Sequence, residues 1–298
     1  MSNKKIFWTD KKIQDWKGVE NLGEELFPRQ QALGKTKKWI FRAERSGQNL
    51  KTNLEEKFKL NGIKDKNKGE SEIERIREFQ RKAALYLERE PDKDDILEWL
   101  AIMRHHGAPT RLLDWTYSFY IAVYFALAEN NKGIVWALDA STINRPELIV
   151  KKICEQEDGF RKFSKALLHY LKQCDFLGIQ SEGDKLIDPS IACHLMKYPI
   201  KCVYPVNPFR LNKRLSVQQG LFLMPGDITK SFAENLIETF GGFEKTKKYL
   251  WRVKITSDTA KRSEILKKLK DMNISNEALF PGLDGFAKSV GEGLAYPN

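Results

Sequence analysis

An α+β domain with a mixed β-sheet core and helical insertions is the fold the sequence predicts. Three observations lead there. Short runs rich in β-branched and aromatic residues recur along the chain, as strands require. Other stretches carry apolar residues at three- and four-residue steps, the helical period. The two kinds interleave irregularly, without an internal repeat or an interdomain linker, which favours one mixed sheet over a regular βαβ alternation.

Residues 1–38 read as a lead-in, a short helix and then a basic approach to the first strand, with 39–298 as one domain. "ALGKTKKW" contains a GKT triplet, but a phosphate-binding loop needs a glycine where Arg29 stands, so the triplet carries no nucleotide reading. Trp39-Ile40-Phe41-Arg42 is aromatic and β-branched, a strand. "KLNGIKDKNKGES" (59–71) reads as a solvated loop, and Ser71 as the start of a helix whose apolar stripe is Ile73, Ile76, Phe79, Ala83 and Leu87. Asp94 and Asp95 open another helix, which must end near Gly107 because Pro109 cannot continue it. Leu112-Leu113 centre a short strand, and Phe119 to Glu129 is a helix apolar enough to be largely buried. "GIVWALD" (133–139), "QGLFLM" (219–224) and "YLWRVKI" (249–255) are strands. Residues 157–173 and 258–272 are amphipathic helices.

Bulk properties narrow the function classes. A chain of 298 residues can bury a sizeable core. With 41% hydrophobic and 31% charged residues it is globular in composition. The net charge of +11 points to an acidic partner, and nucleic acid or a nucleotide fits best. Cys154, Cys174, Cys193 and Cys202 form no CxxC pair, so a reduced, cytoplasmic protein without a zinc site is expected. No signal peptide and no apolar run of membrane-spanning length is visible, so no membrane partner is expected.

The stretch "RHHGAPTRLLDWTYSFYIAVYFA" (104–126) concentrates the chemistry. Strand alternation places Thr110, Leu112, Asp114 and Thr116 on one face and Arg111, Leu113 and Trp115 on the other. Ser118 can cap the following helix, whose free N–H groups and dipole favour an anion nearby. Structural duties are equally available: Asp114 and Ser118 can cap, and Arg111 can pair with a carboxylate to fix the turn. His105 and His106 diverge by about 100° on a helix end, so they do not share a metal. His106, next to the turn at Gly107, is the preferred site residue, and no metal ligand set is expected.

This stretch resembles the central signature of the FRG domain family, roughly Q-H-x-G-x-P-T-R-L-L-D-W-T followed by an A-x-Y-F-A helix. "WIFRAERSGQ" (39–48) resembles the strand with the Phe-Arg-Gly that names the family. "NKRLSVQQGLFLM" (212–224) resembles its R-x-x-x-Q-x-G-x-F strand, and "LFPGLDGFAKSV" (279–290) its L-F-P-x-L-x-G segment. The departures are Ala43 where the naming Gly is usual and His105 where Gln is usual.

The motif layout is similar to that of ADP-ribosyltransferases. Those enzymes carry Arg or His on a first strand, Ser-Thr-Ser leading into an A-x-x-F helix, and Glu on a third strand. The resemblance implies a sheet of that fold, NAD as cofactor, and transfer of ADP-ribose or plain NAD hydrolysis. Arg42 then takes the first place, Asp114-Trp115-Thr116 the second, and Gln218-Gln219-Gly220 the third. Arg42 and Arg111 suit phosphate as fork donors. Asp114 suits ribose hydroxyls or positive charge at C1. Thr110 and Thr116 supply hydroxyls, Thr116 for the nicotinamide ribose. Catalytic duties fall to Arg42, Asp114, Gln218 and His106, and cofactor contacts to Arg42, Thr110, Arg111, Thr116 and Gln219. No glutamate stands in the third motif, so Asp114, Glu44 or Glu277 must replace it, or the chain binds without catalysing. The expected function is modification of a nucleic-acid base, DNA foremost, in a bacterial toxin or phage-defence setting with an antitoxin or other regulatory partner. A non-catalytic nucleotide or nucleic-acid binding module is the alternative, and a metal-dependent nuclease ranks below both.

Overall fold

A computed structural model describes residues 6–28, 37–45, 50–141, 143, 199–206 and 213–292. The helix expected at 157–173, the GKT triplet at 34–36 and Cys154, Cys174 and Cys193 lie outside the described residues.

Among the described residues seven strands form one mixed sheet: β1 (Thr9–Ile13), β2 (Trp39–Arg45), β3 (Leu113–Thr116), β4 (Lys132–Asp139), β5 (Val203–Val206), β6 (Gly220–Pro225) and β7 (Leu250–Thr256), in the order β1-β7-β4-β2-β3-β6-β5. β1 runs parallel to β7, and the other neighbours are antiparallel. The mixed sheet and interspersed helices agree with the expectation from sequence. Among the described residues the helices are α1 (Trp16–Leu26), α2 (Asn53–Leu60), α3 (Asp65–Ala83), α4 (Ile96–His105), α5 (Phe119–Leu127), α6 (Lys213–Val217), α7 (Phe232–Phe240), α8 (Phe243–Thr246), α9 (Thr259–Asp271), α10 (Asn276–Leu279) and α11 (Leu283–Glu292). None is long and apolar enough to cross a membrane.

The core has three parts. On one face of the β1-β7-β4-β2 wing, Phe41, Val135, Ala137 and Val253 pack under α1, α5 and α9 through Leu22, Val123 and Leu266. On the opposite face, Ile40, Trp136, Leu113 and Leu221 meet Phe232 and Leu236 of α7. The β3-β6-β5 wing is closed by α3 and α4, where Ile76 and Leu100 meet Tyr204, Phe222 and Met224. α5 is buried nearly all round, as its unbroken apolar composition predicts, and Ser118 caps it by accepting from the Ile121 amide at 3.3 Å.

α5 sits so close to β4 that Gly133 has no room for a side chain. A Cβ there would lie 2.2 Å from the Ala126 carbonyl oxygen and 2.9 Å from the Ala126 Cβ. Neither can yield without moving the buried helix. Gly133→Ala is therefore expected to lower the unfolding free energy by about 1–3 kcal/mol. Urea titration measures this directly, and an unchanged midpoint would contradict it.

Three elements differ from the sequence reading. Thr9–Ile13, expected within a lead-in, is an edge strand of the sheet. Its sequence TDKKI shows little apolar alternation because only Ile13 is buried, and lysines are the usual protection for an exposed edge. Residues 59–71, expected as loop, hold the end of α2 and the start of α3. Lys and Glu are good helix formers, so this charged segment is helical without an apolar stripe. β5, with the sequence VYPV, was not anticipated; it lies at the sheet edge, where Pro205 is tolerated because an outward N–H is dispensable.

Candidate active site

β2 and β4 pair along seven residues, but β2 and β3 meet only at Phe41↔Thr116. The sheet opens beyond that point, and backbone groups of β3 lose the ladder partners they would have had. Arg42 spans the gap: its Nη1 donates to the Asp114 carbonyl at 2.8 Å. The result is a cleft of about 430 Å³ between the two wings, within the size range of small-ligand sites.

The cleft gathers side chains from distant segments. β2 supplies Arg42, the end of α4 supplies Arg104 and His105, and β3 supplies Asp114 and Thr116. Arg214 and Gln218 come from α6 and the turn after it, with Phe125 and Phe280 as aromatic walls. The Arg214 guanidinium stacks on Phe280, 4.5 Å from the ring centroid.

Asp114 is gripped by arginine. Arg104 Nε donates to Oδ1 at 3.2 Å and to Oδ2 at 2.9 Å, and Arg104 Nη2 donates to Oδ2 as well. Arg42 Nη1 lies 3.7 Å from Oδ2. Burial pulls the Asp114 carboxyl upward, but the hydrogen bond and charge of Arg104, with the charge of Arg42, hold it below the usual carboxylate range. The side chain is still 44% exposed, so the pair is partly screened by solvent.

Behind Arg42 stands Glu44, 6% exposed. Its Oε1 accepts from Arg42 Nε at 3.2 Å, and its Oε2 accepts from Trp136 Nε1 at 2.8 Å. Glu44 thus orients the arginine from behind, with one hydrogen bond on each of its oxygens. With Asp114 committed to Arg104, the cleft presents three guanidiniums, Arg42, Arg104 and Arg214, against two engaged carboxylates. That balance favours an anion.

Other expected site residues serve the fold. Arg111 is 1% exposed and faces α3, where its Nε donates to Glu72 at 2.7 and 3.0 Å and its Nη1 to the Pro225 carbonyl at 3.3 Å. It does not line the cleft, so the phosphate contact expected of it is corrected to a buried ion pair. The alternation assumed in the sequence reading fails here because β3 begins only at Leu113. Thr110 is likewise fully buried: its Oγ1 accepts from the Leu112 amide at 3.3 Å and its carbonyl from the Leu54 amide at 3.3 Å. It too stands away from the cleft. Within β3 the side chains of Leu113 and Trp115 belong to the cluster with Ile40 and Trp136, while Asp114 and Thr116 line the cleft, to which Trp115 also contributes.

Thr116 and Gln218 reach the cleft but also brace it. Thr116 Oγ1 donates to the Gln218 carbonyl at 2.7 Å and accepts from the Ser118 amide at 3.0 Å. Gln218 Nε2 donates to the Leu279 carbonyl at 3.0 Å. Gln219 is exposed and outside the cleft lining, so its expected cofactor contact is not formed by this placement. Its φ of +48° is unusual for a residue with a side chain, and strain of this kind concentrates near functional sites. Glu277 lies exposed on α10, also outside the lining.

The histidines diverge as expected, but their assignments exchange. His105 lines the cleft, whereas His106 lines a separate apolar cavity with Phe79, Met103 and Pro109. The step of about 100° between neighbouring residues at a helix end accounts for the divergence, and Gly107 ends the helix just after them. Its φ of +82° ends α4, with the Ala108 amide donating to the Met103 carbonyl at 2.8 Å and the Gly107 amide to that of Arg104 at 3.1 Å. Among the described residues, no group of three or more His, Cys, Asp or Glu is placed to hold a metal ion.

The segment from β2 through the Gly107 turn and α5 to the start of β4 builds most of this cleft. Residues 37–133 match the FRG domain. Searches of curated proteins and of solved structures gave no match. Counting the FRG signature back from Gly107 and Pro109 puts its Gln at Arg104 and its His at His105. The departure from the pattern is therefore Arg104, and it adds the guanidinium that grips Asp114. Arg214 was the residue passed over in the sequence reading. Its signal was present as the leading Arg of the R-x-x-x-Q-x-G motif. Although the third and fourth motifs lie beyond the FRG match, Arg214, Gln218, Gly220 and Phe280 from them complete the same cleft.

Proposed function

We propose that the cleft binds NAD and that the protein transfers ADP-ribose, with a nucleic-acid base as the preferred acceptor. The observation that carries this reading is convergence. Four motifs spread from residue 39 to 290 contribute side chains to one cleft, and it holds three guanidiniums beside aromatic walls. The donor set fits a dinucleotide: Arg42, Arg104 and Arg214 suit the pyrophosphate, and Phe280 and Phe125 offer faces for a ring. The choice of NAD over other nucleotides, and the likeness to the ADP-ribosyltransferase fold, rest on the motif layout. NAD supplies the ADP-ribosyl group when bound. The net charge of +11 supports a phosphate-bearing acceptor such as DNA. A toxin or phage-defence setting with a restraining partner belongs to the same reading.

Purified protein incubated with labelled NAD and, separately, DNA, RNA or protein is expected to release nicotinamide and label the nucleic acid. Absence of NAD binding would sink the reading. NAD cleavage without label transfer would reduce it to a glycohydrolase. One observation favours a second reading, a nucleotide-binding module without catalysis: both carboxylates at the cleft, Asp114 and Glu44, are engaged by arginine. Binding of nucleic acid that needs no NAD and falls steeply with salt would favour it.

A further inference from the structure

We propose that the His105 imidazole is the proton acceptor of the cleft, taking the proton of the attacking group as ADP-ribose is transferred. This rests on the reading of the cleft as an NAD site. In that reaction the bond between nicotinamide and ribose C1 breaks, and its electron pair leaves with neutral nicotinamide. The nucleophilic atom of the acceptor bonds to C1. Its proton must go to a base, and the imidazole receives it.

Elimination within the cleft leads to His105. Asp114 has both oxygens hydrogen-bonded to Arg104 and sits below the usual carboxylate range, which makes it a weak base. Glu44 spends one oxygen on Arg42 and the other on Trp136 and lies behind the arginine. Gln218 is an amide and takes no proton at neutral pH. His105 is the last residue of α4, lines the cleft, and has no hydrogen-bond partner among the described residues. Its ring meets that of His106 edge-on, at 4.9 Å between centroids.

The surroundings keep the imidazole neutral and ready. Burial first, then the charges of His106 on its own turn and Arg214 on α6, pull its pKa below the ordinary 6.5. Arg42, Arg104 and Asp114 complete the titratable and charged groups that line the cleft with it. At pH 7 the ring therefore carries a free lone pair, which is the state a general base requires. The end of α4 supplies the positioning, since the angular step from its last residue to its C-cap directs His105 to the cleft and His106 to the neighbouring cavity. Asp114 then acts as a positioning residue that holds Arg104 and Arg42, and the glutamate missing from the third motif is not needed for proton transfer.

His105→Gln keeps a polar side chain of similar size but cannot take the proton. Three measurements on the full chain test the assignment: NAD affinity by calorimetry, nicotinamide release from about pH 5 to about 8, and the imidazole resonances by NMR with and without NAD. Expected results are near-unchanged NAD affinity in the variant and a loss of about 100-fold or more in nicotinamide release. Wild-type release should rise with pH through an apparent pKa below 6.5 and then level off, and that rising limb should vanish in the variant. The His105 resonance should titrate in the same range and move when NAD is added. A variant that binds NAD and keeps the wild-type rate and pH limb would overturn the role of His105 while leaving the NAD reading intact. Wild-type protein that does not bind NAD would overturn both.

Discussion

Glu72→Ala is expected to lower the unfolding free energy by about 3–5 kcal/mol, because it strands a buried guanidinium. Arg111 and Glu72 are 1% and 2% exposed. Burial opposes the Arg111 charge, and the charge and hydrogen bonds of Glu72 more than offset that cost, so removing Glu72 leaves the charged guanidinium buried without its counter-ion. Without Glu72, the acceptor left among its hydrogen bonds is the Pro225 carbonyl, at 3.3 Å. The double change Glu72→Leu with Arg111→Met removes both charges together and should restore most of the loss, since apolar side chains of similar size can replace a buried pair at little cost. Chemical denaturation followed by tryptophan fluorescence provides the measurement. A loss under about 1 kcal/mol in Glu72→Ala would show that water reaches the pair. The pair joins α3 to the start of β3, so it positions the cleft without facing it.

Asp114→Ala is expected to reduce nicotinamide release by about 100-fold or more, the loss typical when a preorganised charge arrangement is removed. The carboxylate fixes Arg104 and sits 3.7 Å from Arg42 Nη1, so its loss frees the Arg104 guanidinium and removes a negative charge beside Arg42, which Glu44 and the backbone carbonyl at 114 still hold. Because both arginines stay positively charged, NAD affinity should fall less than turnover. Arg42→Ala should lose both, as it also removes the bridge to the Asp114 carbonyl. Nicotinamide release that survived both substitutions in folded protein would sink the proposed chemistry. A pH signature accompanies this. The folded-state pKa of Asp114 is lowered, so its stabilising contribution is complete above the unfolded value of about 3.9 and is lost as pH falls through the folded value. Asp114→Asn should therefore be less stable than wild type at neutral pH and should close on it as the buffer becomes acidic. A constant difference across the acid range would argue against the arginine clamp.

The residues of the cleft were partly legible in the sequence. Arg42 and Asp114 stand out because polar groups interrupt otherwise apolar strands, and both face the cleft. Thr116 and Gln218 reach it too, with their hydrogen bonds directed largely to backbone. Arg111 and Arg104 are seven residues apart in one motif and identical in type, yet one is a core ion pair and the other grips the catalytic aspartate proposed from sequence. Nothing local distinguishes them. The difference is Glu72, 39 residues before Arg111, which the fold of α3 brings against it. The choice between His105 and His106 turned on which neighbouring elements the fold packs against each side of the α4 end.

Periodicity and composition alone determined the main features of the protein: buried α5, the central strands β4, β6 and β7, the capping role of Ser118, and the excess positive charge. These are local properties, written in side-chain spacing and backbone preference. The tertiary structure decided the rest: the single bridge between β2 and β3, the cleft it opens, the inclusion of Arg214 and Phe280, and the commitment of Asp114 and Glu44 to arginine partners. Each of those depends on hydrogen bonds or packing between segments tens to hundreds of residues apart, which carry no periodic trace in the chain. Charged groups in particular take their roles from whichever partner the fold delivers, because the cost of leaving a buried charge unpaired outweighs any preference of the local sequence.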